Sequence, residues 1–259
     1  MNILDKIVSR KKEEIADAKA NISIRNLEQT NFFNRTTFSV SKNIKAKGSS
    51  GIIAEFKRQS PSKGIINNKA DVVEVVKGYE NAGVVASSIL TDTDFFGGSK
   101  NDLVQVRTEV NIPLLRKDFM IDEYQFIEAK NWGADIVLLI AAILTPQEVK
   151  TFTDLAQNLG LEVLLELHGE EELNHVYHKV NMVGINNRNL KTFEVDVEQS
   201  IRMAEKLGRD FIKVAESGIS NIDTLKHFRT NGFEAFLIGE NFMKTENPAL
   251  ACKDFIGQI

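Results

Sequence analysis

The sequence predicts an α/β fold, a (β/α)8 or TIM barrel with an N-terminal helical extension. Three observations predict it. From about residue 51 onward, short apolar runs alternate with amphipathic segments, the pattern of βα units around a parallel sheet. Glycines and capping residues punctuate that alternation where helices should start and stop. Several of the apolar runs turn ionisable or polar at their C-terminal ends, where barrels of this class keep their active sites.

Taken in order, the strands are expected at residues 51–57, 84–90, 112–117, 134–140, 161–167, 182–186, 211–216 and 235–238. Helices are expected between them at 71–82, 123–132, 145–159 and 221–231. Thr145-Pro146 and Ser220-Asn221 are good helix starts, and Gly83, Gly133, Gly160 and Gly232 are good stops ahead of strands two, four, five and eight. Eight strands in series close most simply as a barrel. An open doubly wound sheet would want a Gly-rich loop after its first strand, and Arg58-Gln59-Ser60-Pro61-Ser62-Lys63-Gly64 holds one glycine.

Residues 1–50 precede the barrel, and residues 1–259 are expected to form one domain with those fifty as its extension. Within it, 10–20 reads as helix and 30–50 as polar and turn-rich, with Phe32, Phe33 and Phe38. The extension could pack on the barrel exterior or cover the catalytic mouth, and both readings stay open.

At 42% hydrophobic and 26% charged, the composition is that of a soluble globular protein. No apolar run approaches the roughly 18 residues of a membrane helix, and the charged N-terminus lacks the apolar core of a signal peptide. Cys252 is the single cysteine, so no intrachain disulfide can form, and a cytoplasmic location is expected. A net charge of −4 gives no reason to expect nucleic acid, and no membrane partner is expected.

Strand parity sorts the candidate site residues, because side chains two apart share a face. Glu55 and Lys57 share one with Ile53, Lys117 with Leu115, Glu166 with Leu164 and Glu162, Asn186 with Arg188, and Glu216 with Val214. Charges in core-like strands are costly unless paired or put to use. A single such strand is as well explained by an internal salt bridge. Five ending alike favour one converging site.

A phosphate signal is separate. Ala215-Glu216-Ser217-Gly218 closes strand seven, and Ile238-Gly239-Glu240 carries strand eight into a helix. Loops at those two places often bind phosphate in such barrels, through backbone N–H groups and a helix N-terminus. His175 and His178 have helical i, i+3 spacing but no evident carboxylate or cysteine partner, so a solvated helix face is expected rather than a metal site. His168 directly follows strand five and could touch the site, but no catalytic role is expected of it, and Cys252 is expected to be a packed small side chain.

At this point the residues resemble the indole-3-glycerol phosphate synthase family. The resemblance runs through Glu55-Phe56-Lys57-Arg58-Gln59-Ser60-Pro61-Ser62-Lys63-Gly64, Phe95-Phe96-Gly97-Gly98-Ser99 and Leu115-Arg116-Lys117-Asp118-Phe119. It continues through Leu165-Glu166-Leu167-His168, Gly184-Ile185-Asn186-Asn187-Arg188-Asn189-Leu190, Glu216-Ser217-Gly218-Ile219 and Leu237-Ile238-Gly239-Glu240. Phe56 and Gln59 stand where the family pattern has Ile and Ala.

The resemblance implies a carboxy-lyase of tryptophan biosynthesis that uses neither metal nor organic cofactor. Its substrate would be 1-(2-carboxyphenylamino)-1-deoxyribulose 5-phosphate, ring-closed, decarboxylated and dehydrated to indole-3-glycerol phosphate. The family match gives Lys117 the proton donated to the ribulose carbonyl and makes Glu166 a second acid or base. Lys57 would hold the anthranilate carboxylate and can also act as an acid, and the sequence does not divide that role between the two lysines. Glu55 and Glu216 would orient lysines and hydroxyls, with Asn186 and Arg188 fixing polar groups. Ser60, Phe96 and Phe119 would also contact the substrate, and Ser217, Gly218, Gly239 and Glu240 would take the phosphate. Association with other pathway enzymes leaves no mark in the sequence.

Two alternatives remain. Phosphoribosylanthranilate isomerase is similar at the phosphate loops but has a Cys near the end of strand one, where this chain has Lys57. A barrel kept as a non-enzymatic subunit would have no reason to bear the cost of clustered charges.

Overall fold

A β-branched or leucine-rich run flanked by capped amphipathic helices can bury both faces only within a parallel sheet covered by helices. The computed structural model, which describes residues 3–30, 32–188 and 194–259, has this arrangement. Asn189 and Leu190, the end of one quoted motif, lie outside the described residues. The strands are β1 Ile52–Phe56, β2 Ala86–Leu90, β3 Leu114–Lys117, β4 Ile136–Ile140, β5 Glu162–Leu167, β6 Met182–Asn186, β7 Ile212–Glu216 and β8 Ala235–Ile238. All pairings among these eight strands are parallel and β1 pairs with both β2 and β8, so the barrel is closed.

The strands begin up to two residues later than expected. Val84-Val85, Ile112-Pro113 and Ala134-Asp135 belong to the loops that enter β2, β3 and β4. These residues are mostly buried, so an apolar run does not distinguish them from strand. Helices follow their caps closely. Asp71 caps Val72–Ala82, Thr145 forms a capping box with Glu148 at Pro146–Asn158, and Asn221 caps Ile222–Thr230.

Parity divides the core as expected. Ile53, Leu115, Leu138, Leu164, Val214 and Leu237 pack together inside the barrel. Ile52, Phe56, Leu114, Leu139, Leu165 and Phe236 face the opposite way, into the layer between sheet and helices. Phe56 is also the platform for Arg58, whose guanidinium lies 4.9 Å from the ring centroid while pairing with Asp102.

The extension serves both ends of the barrel. The helix Ile3–Asn21 buries Ile7, Lys11 and Ile15, spaced four apart along one stripe. The short helix Val40–Lys45 buries Val40 and Ile44 against the barrel interior. Asn43 Nδ2 donates to the Val85 carbonyl, and the Glu162 carboxylate accepts from the Ser41 amide and from the Ser39 and Ser41 hydroxyls. Val85 and Glu162 sit where β2 and β5 begin, so this helix closes the N-terminal end. Arg35 and Arg107 share the fully buried Asp135, which also accepts the Phe38 and Leu114 amides.

Candidate active site

A cavity of about 340 Å³ opens at the C-terminal ends of the strands. Register explains how the charges meet there. Glu166 lies opposite Gly184, Asn186 opposite Glu216, and Glu216 opposite Leu237. Two glycines make the room: a Cβ on Gly184 would stand 2.1 Å from Glu216 Oε1, and one on Gly239 would stand 2.5 Å from Glu55 Oε1.

Lys117 is the hub. Its Nζ lies 2.6 Å from Glu166 Oε2 and 3.3 Å from Glu216 Oε2. The other Glu166 oxygen accepts from Asn186 Nδ2 at 2.8 Å and lies 3.0 Å from His168 Nε2. Lys57 pairs separately with Glu55, at 2.8 Å. Arg188 stands just past β6, its amide bonded to Asn186 Oδ1 and its guanidinium reaching Ser62 and Glu240.

Electrostatics separate these groups. Burial opposes the charge on Lys117, but Glu166, Glu216 and Glu55 outweigh it and raise its pKa. Burial also works against an ionised Glu166, yet Lys117 and His168 hold its carboxyl well below the usual range. Glu216 is pushed by burial and by the Glu166 charge up to about 7, against the pull of Lys117. Burial disfavours the charged His168 ring, but Glu166 and Glu172 raise its pKa. Opposite shifts on two carboxyls that share one lysine are the arrangement of an acid–base site.

The same cavity is lined by Glu55, Lys57, Ser60, Phe96, Lys117, Phe119 and Glu166, and by Asn186, Arg188, Glu216, Ser217, Gly218, Gly239 and Glu240. The structure therefore brings all the sequence-derived candidates to one mouth. Phe96 and Phe119 form one side, their ring centroids 6.0 Å apart. Ser217 and Gly218 both adopt positive φ, 65° and 73°, a conformation that is uncommon for serine.

Sequence reasoning missed several lining residues. Ile3, Leu4 and Ile7 reach the cavity from the N-terminal helix, and Ser62 and Lys244 from the loops after β1 and β8. His168, which the sequence allowed to touch the site, lines it. His175 and His178 do not share a solvated helix face. The 3-10 turn Glu170–His175 ends before His178, and the His175 ring nitrogens approach the Glu172 and Leu144 carbonyls. Among the described residues, no three His, Cys, Asp or Glu side chains are grouped to hold a metal, and no helix is long and apolar enough to cross a membrane. Cys252 is fully buried, and burial pushes its thiol up to about 12.

Fold and site together define an enzyme of the (β/α)8 barrel class. Solved barrels resemble it in fold at 13% identity. 3-Hexulose-6-phosphate synthase from Salmonella typhimurium gives a TM-score of 0.61 over 80% of this chain and 99% of that one. A chain of the tryptophan synthase complex from Pyrococcus furiosus gives 0.59 over 80% and 96%. Sequence is more specific. The family model for indole-3-glycerol phosphate synthase matches residues 4–255. The indole-3-glycerol phosphate synthase of Bacteroides thetaiotaomicron is 49% identical over 100% of this chain and 99% of its own length. That of Caldanaerobacter subterraneus is 44% identical over 99% and 98%. The chain belongs to the indole-3-glycerol phosphate synthase family, carboxy-lyases of tryptophan biosynthesis.

Proposed function

We propose that this chain converts 1-(2-carboxyphenylamino)-1-deoxyribulose 5-phosphate to indole-3-glycerol phosphate, with Lys117 as the acid of ring closure. The observation that carries the assignment is Lys117 Nζ held between Glu166 and Glu216. An ammonium so paired stays protonated at neutral pH, as a donor to a carbonyl oxygen must.

The aromatic carbon that bears the carboxylate attacks the ribulose carbonyl carbon, and the carbonyl oxygen takes the Lys117 proton. Carbon dioxide then leaves, and its bonding pair restores the aromatic ring. Loss of the new hydroxyl as water, with a proton from the adjacent carbon, completes the indole. Glu166 serves this dehydration, and its contacts to Lys117, Asn186 and His168 keep it placed to trade protons. Lys57, paired with Glu55 alone among the carboxylates of the site, holds the substrate carboxylate. Phe96 and Phe119 wall the aromatic ring, Ser60, Asn186 and Arg188 hold polar groups, and Glu55 and Glu216 orient the lysines.

Ser217, Gly218, Gly239 and Glu240 form the phosphate end, supported by the positive φ at Ser217 and Gly218. The Glu240 carboxylate lies 3.4 Å from Arg188 and 3.6 Å from Lys63, so its part is to place those cations beside the phosphate. Residues 1–259 act as one domain with residues 1–50 as its extension, and the single buried Cys252 supports a cytoplasmic location. The test is a fluorescence assay for indole product from the carboxyphenylamino substrate. A fall in turnover of roughly 10²–10⁴-fold in Lys117→Met supports the reading, and no turnover by the wild type overturns it.

A further inference from the structure

A lysine is seldom buried unless it is paired, and Lys11 is 3% exposed. It lies one turn beyond Ile7 on the helix Ile3–Asn21, which contributes Ile3, Leu4 and Ile7 to the cavity. Its ammonium is 3.1 Å from Asp92 and 3.0 Å from Asp118, with Glu14 of the same helix at 2.7 Å.

Those two aspartates have a second task. Asp92 Oδ1 accepts the backbone amides of Phe95 and Phe96, at 2.8 and 3.2 Å. Asp118 Oδ1 accepts the amide of Phe119 at 2.9 Å, while its other oxygen takes Thr91 and Arg116. One cation therefore bridges the carboxylates that fix the backbone beneath both rings of the aromatic wall. An apolar side chain at position 11 would anchor the helix without the cost of desolvating a charge. It could not tie two carboxylates together.

We propose that Lys11 is a positioning residue for the reaction: it locks the N-terminal helix over the mouth and, through Asp92 and Asp118, sets Phe96 and Phe119 as the wall that receives the substrate's aromatic ring. This rests on the substrate reading above. Helix docking and formation of the wall are then one event, and loosening the helix loosens the ring site but not the phosphate loops, which belong to β7 and β8.

The experiment compares Lys11→Met with wild type in two readouts. The first is hydrogen exchange at the Phe96 and Phe119 amides, which needs no turnover. The second is KM for the carboxyphenylamino substrate against Ki for inorganic phosphate. Faster exchange at both amides is expected, with KM raised at least about tenfold and Ki changed by less than about twofold. Lys11→Arg, which keeps the charge, should recover part of the KM. If Lys11→Met does not fold, Lys11→Met with Asp92→Asn removes the stranded carboxylate, and the same results are expected of it. Exchange that rises in the helix alone, or KM and Ki rising together, would overturn the proposal. If the wild type fails to turn over, the substrate reading falls, and the exchange readout alone decides the role of Lys11.

Discussion

Glu166 and Glu216 share a single ammonium, that of Lys117, yet their carboxyls are driven in opposite directions, one well below the usual range and the other up to about 7. Burial acts against ionisation at both. Glu166 adds Asn186 and His168 to its lysine contact, whereas Glu216 Oε1 is buried without a hydrogen-bond partner among the described residues. The asymmetry leaves Glu166 ionised at neutral pH, as a group that takes a proton in dehydration must be, and Glu216 able to gain or lose a proton near neutrality.

Glu216 should therefore set a titration near pH 7 in kcat/KM, and Glu216→Gln should remove it. The same shift has a sign in stability. A carboxyl whose pKa is raised by folding contributes stability below its unfolded value of roughly 4.3, lost as pH rises through about 7. Glu216→Gln should thus melt higher than wild type at pH 8, by a few degrees (roughly 2–4 °C per kcal/mol), and the gain should vanish toward pH 5. Calorimetry of the two proteins at both pH values checks it.

Glu166→Gln keeps the shape but cannot trade protons. A large fall in kcat with little change in KM is expected, and single-turnover kinetics should place the loss after ring closure. Wild-type turnover would reduce Glu166 to a counter-charge for Lys117.

At the phosphate end, Gly218 has φ +73°, and a Cβ there would stand 2.4 Å from Val195 Cγ1. Gly218→Val should chiefly raise KM and weaken competition by inorganic phosphate, because phosphate is held alike in ground and transition states. An equal loss confined to kcat would move the phosphate elsewhere.

The opposite end of the barrel should govern stability instead. Asp135→Ala strands Arg35 and Arg107 and leaves the Phe38 and Leu114 amides unpaired. Urea denaturation should show a loss of about 3–5 kcal/mol, with kinetic constants of the folded fraction near wild type.

The site was legible wherever a charge interrupts an apolar strand, because Glu55, Lys117, Glu166 and Glu216 have no cheap reason to be there. Lys11 was not. Within Arg10-Lys11-Lys12-Glu13-Glu14 it looks like part of a solvated face, and its burial depends on Asp92 and Asp118, which are distant in sequence. The helix at 40–45 was equally hidden, since its six residues carry little helical pattern and owe their place to Glu162 and Val85. His168 was legible as a neighbour of the site, but its 3.0 Å approach to Glu166 was not, because nothing in sequence shows which way a Glu166 oxygen turns.

The most direct test of the account is single-turnover and steady-state kinetics of Lys117→Met at pH 7. The methionine keeps most of the length of the side chain and removes the proton. The account predicts kcat lowered by roughly 10²–10⁴-fold, the range for a lost general acid, with substrate still bound and the protein still folded. A folded Lys117→Met enzyme with kcat close to wild type would contradict it.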